Sequence, residues 1–255
     1  MLAIGEGASY EAQEQIKSLG SQNIILRSIK PPDEQKITES AQNSYTLDYG
    51  LKEVDAKRIE STIPHVGRVI PARIIREYVW NVSYRVDSEI VGTTPDFQRI
   101  RNQQLRVGRF FNEREFEDKG NVCVVGSTMV ERLFPLEAPL GKDIRVGSAY
   151  FRVIGVLEDA AGDSVTSGLS VASGVSGTVH SRMYIPLSTA RMHYGDILVR
   201  RRSGSYESER VELHELTIRV NDTERVLAVA ENLQALLEHT HKKVDYTMIV
   251  PLELL

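Results

Sequence analysis

Thiol chemistry is almost absent from this chain, because one cysteine, Cys123, among 255 residues excludes an intramolecular disulfide. Cys123 sits in the apolar run Val122 to Val125, where a thiol behaves as a small buried hydrophobe. A chain long enough to bury a core has no need of disulfides, so an oxidising compartment stays open. An excess of one charge is lacking too. With 31 Lys and Arg against 35 Asp and Glu the net charge is -4, and that leaves no positive field broad enough to attract phosphate backbones, which argues against nucleic acid as a partner. The densest basic cluster, Arg200, Arg201 and Arg202, stands beside Ser203 and Gly204 and reads as a solvated loop. Long apolar runs are missing as well. No window reaches the roughly 20 apolar residues that cross a bilayer, and Met1 to Gly7 carries none of the blocks of a signal peptide. Even so, Met1-Leu2-Ala3-Ile4 begins apolar and Met248 to Leu255 stops inside an apolar run. Domains ordinarily trail off in polar residues, so both ends are expected to be cut points.

Signatures of catalysis and of cofactor binding are scarce in the same way. Gly141-Lys142-Asp143 has Leu136 where a phosphate loop needs its upstream glycine, and no hydroxyl follows the lysine. Gly5-Glu6-Gly7 has no strand before it and no third glycine after it. His239 and His241 flank Thr240 beside Glu238, yet no second ligand pair is spaced to close a metal site, so a solvated helix end complementing the helix dipole is expected. Gly126-Ser127-Thr128 follows the Val122 to Val125 strand without the second glycine of a nucleophile elbow. A hydrolase would need a histidine within reach of Ser127 or Cys123, and none is expected. Glu113, Glu115, Glu117 and Asp118 lie in a polar run where solvation is the ordinary outcome. Phe110, Phe111 and Phe116 read as core or interface anchors. The sequence therefore nominates no catalytic, cofactor-binding or metal-ligating residue.

What is present is ordinary for a packed protein: 41% hydrophobic and 26% charged residues over a length that favours two packed units. Ala8, Ala12, Ile16 and Leu19 line one face of a helix over Glu6 to Leu19. Asn23 to Ile29 reads as a strand that Pro31-Pro32 ends, and Asp33 to Ser44 as a loop. Leu51, Val54, Ile59 and Ile63 place a helix over Leu47 to Ile63, stopped by Pro64. From Val66 to Val91 the pattern alternates, most clearly at Trp80, Val82, Tyr84 and Val86, and predicts antiparallel strands with one wet face. Short strands at Val122 to Val125, Ile144 to Val146 and Phe151 to Val156 follow, with a mobile Gly/Ser-rich loop over Gly162 to Thr178. Leu216, Ile218 and Val220 form a strand, Asn221 to Glu224 a helix start with Glu224 as reciprocal cap, and Val226, Ala230, Leu233 and Leu237 a helix face. Val244, Tyr246, Met248 and Val250 alternate again, completing a β-α-β unit. The N-terminal part has a matching order of elements, so two such halves can share one sheet. The fold class is α+β, with residues 95–211 inserted as a second unit between 1–94 and 212–255.

One ordered set of short motifs adds to this. Ala3-Ile4-Gly5-Glu6-Gly7-Ala8 precedes Leu19-Gly20-Ser21-Gln22-Asn23-Ile24; then come Val91 to Phe97, Gly108-Arg109-Phe110-Phe111, Val122 to Gly126, Leu133-Phe134-Pro135, Leu140-Gly141-Lys142, Phe151 to Val156 and Tyr184-Ile185-Pro186-Leu187. In this order they resemble the periplasmic core domain of MacB-like ABC transporter permeases, the MacB/FtsX/LolC type, over nearly the whole chain. The resemblance implies a two-lobed extracytoplasmic domain with a porter-like lobe from both chain ends, an inserted smaller mixed α/β lobe, and a stalk helix over residues 1–20. It further implies a membrane-embedded, homo- or heterodimeric permease in the inner membrane, driven by a cytoplasmic ABC ATPase that is separate from this domain. An adaptor protein and an outer-membrane channel are implied as partners, and mechanical transmission as the function. An FtsX-like regulatory module that activates an extracytoplasmic partner without transport is the alternative. The motifs leave the cargo open.

Overall fold

A computed structural model describes residues 21–31, 46–159, 181–195, 197–202, 205–241 and 243–254. The helix expected over Glu6 to Leu19, the loop over Asp33 to Ser44 and the Gly/Ser loop over Gly162 to Thr178 lie outside them. In chain order the elements are β1 (Asn23–Ser28), β2 (Thr46–Asp48), α1 (Glu53–Thr62), β3 (Val66–Asn81), β4 (Tyr84–Thr93), α2 (Phe97–Ile100), β5 (Leu105–Gly108), α3 (Glu113–Glu117), β6 (Val122–Gly126), α4 (Ser127–Leu133), β7 (Asp143–Val146), β8 (Ala149–Leu157), β9 (Ser181–Pro186), α5 (Leu187–Tyr194), β10 (Ile197–Arg202), β11 (Ser205–Arg210), β12 (Glu215–Val220), α6 (Val226–Thr240) and β13 (Tyr246–Ile249). No helix among the described residues is long and apolar enough to cross a membrane.

The chain divides into two compact units. The first comprises 22–73 and 191–250, and the second is built on 74–190. These borders differ from the 94/95 and 211/212 junctions expected from sequence. The 16-residue strand β3 runs from one unit into the other without interruption, and α5 does the same on the way back. A continuous alternation or helical period carries no mark of such a crossing, so the pattern could not show it.

In the first unit the sheet order is β13-β1-β12-β3, with antiparallel pairing throughout. Antiparallel neighbours place β1 and β3 parallel to each other around β12, and β12 and β13 parallel around β1. The halves β1-α1-β3 and β12-α6-β13 are thus interleaved in one sheet, a split β-α-β arrangement. Hydrophobic burial holds it together. Ile24, Ile25 and Leu26 of β1 and Leu216, Ile218 and Val220 of β12 are inaccessible to solvent, and α6 buries Val226, Val229, Ala230, Leu233 and Leu237. Each of these valine, leucine and isoleucine side chains contributes about 1.5 to 3 kcal/mol relative to exposure. Two local details differ from expectation. The chain before α1 is β2 and a turn instead of helix, because Gly50 takes φ 88° and Leu51 bridges Leu213, so that helix starts only at Glu53. The start of α6 is a 3-10 turn over Thr223–Arg225 with no side-chain cap from Asp222, so Glu224 has no capping box to close. A small second sheet, β10-β11-β2, completes this unit. Arg200, Arg201 and Arg202 belong to β10, paired with β11 from Ile197↔Arg210 to Arg202↔Ser205, and not to a loop.

In the second unit β4, β9, β6 and β8 follow β3 in the sheet, while β7 pairs with both β8 and β3. Six strands, β3-β4-β9-β6-β8-β7, therefore close into a ring, which removes their free edges. Its inner face carries Val79, Cys123, Val125, Ile144, Phe151, Val153, Met183 and Ile185, all buried, and α4 adds fully buried Met129 and Leu133. Gly155 sits at a close approach: a Cβ there would run into the backbone carbonyl of Arg109. Phe110 and Phe111 stack with ring centroids 4.2 Å apart and are buried, whereas Phe116 is half-buried. The alternation from Trp80 to Val86 turns out to cross a hairpin. Trp80 is the next-to-last residue of β3, Val82 is 94% exposed in the turn, and Val86 is buried on β4.

Candidate functional site

Among the described residues, a buried cluster of titratable side chains lies in the first unit, where α6 ends. His241 follows the last helical residue, with its side chain 9% exposed between two carboxylates. Nδ1 is 2.8 Å from Asp245 Oδ1 and Nε2 is 3.3 Å from Asp55 Oδ2. Asp245 Oδ2 also accepts the Gly50 N–H at 2.8 Å, and Asp55 Oδ2 accepts the Lys52 N–H at 2.9 Å, closing the first turn of α1. Arg58 approaches the other oxygen of Asp55 at 3.5 Å. The turn bearing Gly50 is fixed in its own right, since Ser28 Oγ donates to the Leu213 carbonyl at 2.6 Å and accepts the Leu51 N–H at 2.9 Å. A Cβ on Gly50 would meet that hydroxyl at 2.5 Å. Tyr246 packs edge-on to the His241 ring, 5.5 Å between centroids. Burial foremost, then the negative charges of Glu238 and Asp245, pushes its phenol up.

This cluster is a latch. It ties the start of α1, the end of α6, the approach to β13 and the turn before α1 through bonds that satisfy buried polar atoms. The solvated helix end expected for this region holds for His239, which is exposed, and fails for His241. Asp55 and Asp245 come from positions 186 and 4 residues away, and only the tertiary fold brings all three together. Among the described residues no group of three or more histidine, cysteine or acidic side chains is arranged to hold a metal ion.

In the second unit the two nominal nucleophiles have other work. Cys123 is fully buried, and that burial, helped by the charge of Asp143, pushes its thiol far up, so a thiolate is not formed there. Ser127 Oγ donates to Asp159 Oδ2 at 2.9 Å, and the same oxygen accepts the Thr128 N–H at 2.5 Å. Asp159 thereby caps the exposed donors at the start of α4 with a negative charge suited to the helix dipole. Nothing local to Gly126-Ser127-Thr128 announces a cap that arrives from 32 residues downstream. Glu115 also departs from expectation. It grips Arg109 with two bonds of 2.7 Å and closes a capping box with Asn112. The Arg109 guanidinium, its first cause, holds that carboxyl below the usual range even though partial burial works against it. Glu113, Glu117 and Asp118 are exposed, as a solvated run requires. A third buried charge, Glu89, is met by Arg76 at 3.2 Å and Arg182 at 3.6 Å. These arrangements fasten elements in place; they do not assemble a reacting centre.

Comparison with known proteins matches this architecture. A family model described as the MacB-like periplasmic core domain matches residues 1–236. A macrolide export ATP-binding/permease protein MacB of Bdellovibrio bacteriovorus is 30% identical over 160 residues, 62% of this chain and 24% of the relative. The protein of the same name from Nitrobacter winogradskyi is 27% identical over 249 residues, 96% of this chain and 33% of the relative. The chain thus spans only a quarter to a third of the length of these relatives. Among solved structures, the periplasmic region of MacB from Actinobacillus actinomycetemcomitans superposes with a TM-score of 0.66 at 18% identity, covering 94% of this chain and 93% of that one. At that identity the likeness establishes the fold.

Proposed function

From the premise that this chain belongs to the family of MacB-like periplasmic core domains, we propose that it serves as the extracytoplasmic domain of an ABC permease, passing movement driven by cytoplasmic ATP hydrolysis to a cargo outside the inner membrane. The carrying observation is the family match over residues 1–236 together with a fold that closely follows a MacB periplasmic region along 94% of the chain. The physics of the two units supports a mechanical role. A body that transmits displacement must resist deforming, and packed cores shift between discrete arrangements instead of bending continuously. The latch at His241 fixes both helices of the split sheet, and closure of the strand ring leaves it no free edge along which to shear. In this reading the permease works as a dimer with an ATPase, an adaptor and an outer channel. Export is favoured over regulation because the relatives are named for macrolide export.

The buried thiol makes a clean topology test available. In the full-length protein in intact cells, Cys123 should not react with a membrane-impermeant maleimide, while Ala138→Cys, at an exposed position, should be labelled without breaking the inner membrane. Labelling of Ala138→Cys only after the inner membrane is permeabilised would place the domain in the cytoplasm and end the permease reading.

A further inference from the structure

The outer face of the strand ring carries an arrangement that neither the family match nor the latch accounts for. Arg145 of β7 lies directly opposite Trp80 of β3 on one side and Tyr150 of β8 on the other. Directly paired residues share a sheet face, so Tyr150, Arg145 and Trp80 form one row. Arg85 of β4 extends it, its guanidinium 5.4 Å from the Trp80 ring centroid and 3.8 Å from that of Tyr78, and Arg145 also stands 5.4 Å from Trp80. Tyr78, Arg85, Arg145 and Tyr150 are all exposed. The row alternates cation and ring across four strands. Elsewhere on the molecule arginines of this kind are met by carboxylates, as Arg76 and Arg182 are by Glu89 and Arg152 is by Asp143. Among the described residues, neither Arg85 nor Arg145 has a carboxylate within ion-pair distance.

At the end of this row the hairpin turn is strained. Val82 adopts φ 51° although β-branched residues avoid that region, and it projects almost fully into solvent next to the half-exposed Tyr84. Exposed valine held at a conformational cost of about 1 kcal/mol is not what a merely solvated turn selects.

From this we infer that the outer face of β4-β3-β7-β8 binds an extended, acidic segment of a partner protein. The chemistry decides the occupant. The ring faces of Tyr78 and Trp80 are already covered by guanidinium, so the surface offers N–H edges and not open platforms for a sugar. Cation–π attraction to the rings restrains each guanidinium and lowers the entropy lost when it is ordered, leaving its fork free for a carboxylate. Arg85 and Arg145 belong to strands on either side of β3 and so stand roughly 10 Å apart. Two carboxylates at alternate positions of an extended segment are about 7 Å apart at the backbone, and glutamate side chains reach the remainder. Apolar residues at the segment's end would cover Val82 and Tyr84. The inference does not depend on the permease reading.

Trp80 is the chain's single tryptophan, so its emission reports on this row alone. The test titrates the full chain with a peptide of alternating glutamate and threonine, with its lysine counterpart, and with phosphatidylglycerol vesicles. Anisotropy of the labelled peptide gives a second readout that does not depend on Trp80. The inference expects saturable binding of the glutamate peptide, weakened by salt, and about tenfold weaker in Arg85→Gln and Arg145→Gln. Both side chains are exposed, and unchanged far-ultraviolet circular dichroism verifies that the variants fold. No saturable response to the glutamate peptide, equal binding of the lysine peptide, or full affinity in both variants would overturn it. So would saturable binding to vesicles without binding to the peptide, which would make the row a membrane contact.

Discussion

Two clusters on this molecule handle charge in opposite ways. In the split-sheet unit, Asp55, His241 and Asp245 are taken out of water and given partners on every side, so their interactions serve the fold. On the strand ring, Arg85 and Arg145 are left in water, within cation–π distance of aromatic rings and without carboxylates among the described residues. Buried charge is costly unless fully matched, so it persists where a single geometry must be kept. Exposed, preordered charge adds little stability, and its value lies in meeting something else. The difference separates what holds this domain together from what it shows to its surroundings.

The largest effect that could break this comparison is expected at the latch. Asp245→Ala leaves His241 Nδ1 and the Gly50 N–H without their partner in a site with little access to water, and should lower the free energy of unfolding by about 3 kcal/mol in a urea titration. Loss below about 1 kcal/mol would mean that the latch is ornamental and that burial in the split sheet suffices. A smaller effect separates a half-exposed bridge from the buried one. Glu115 has its carboxyl held low by Arg109, so it takes up a proton in the unfolded chain near its ordinary value of 4.5 before it does so in the folded one. The bridge's contribution is therefore complete above that value and lost as pH falls through the lower folded one. With Arg109 half in solvent, the contribution is about 0.5 kcal/mol. Glu115→Gln should cost that much at neutral pH and nothing at the acid end, read from urea titrations at both. The smallest change should go the other way. Val82→Asn relieves the left-handed backbone and should raise stability by about 0.5 kcal/mol, seen as a slightly higher Tm. A loss instead would show that Val82 packs within the fold and is not held out for contact.

Much of the fold was legible because the signals were local. The face Val226, Ala230, Leu233 and Leu237 and the alternation at Leu216, Ile218 and Val220 each name their element from neighbouring residues, and all are buried as the patterns require. That β1-α1-β3 and β12-α6-β13 share one sheet was expected from their matching order of elements. The candidate sites were not legible for the same reason reversed. His241 meets Asp55 across most of the chain, Ser127 meets Asp159 from another strand's end, and Arg145 faces Trp80 only because β7 closes the ring. Period and composition carry no record of such pairings. The Trp80 to Val86 alternation misled in a related way, since a period of two continues unbroken across a two-residue turn.

The central proposal is that the domain is displaced when nucleotide is turned over on the far side of the membrane. A spin label at Ala138→Cys in the full-length, membrane-reconstituted protein, with Cys123 silent in the core, allows the distance between the two copies of a dimer to be measured by pulsed electron resonance. The account predicts a distance distribution that shifts between the nucleotide-free state and the state trapped with ATP and vanadate. The same distribution in both states, in a preparation that hydrolyses ATP, would contradict it.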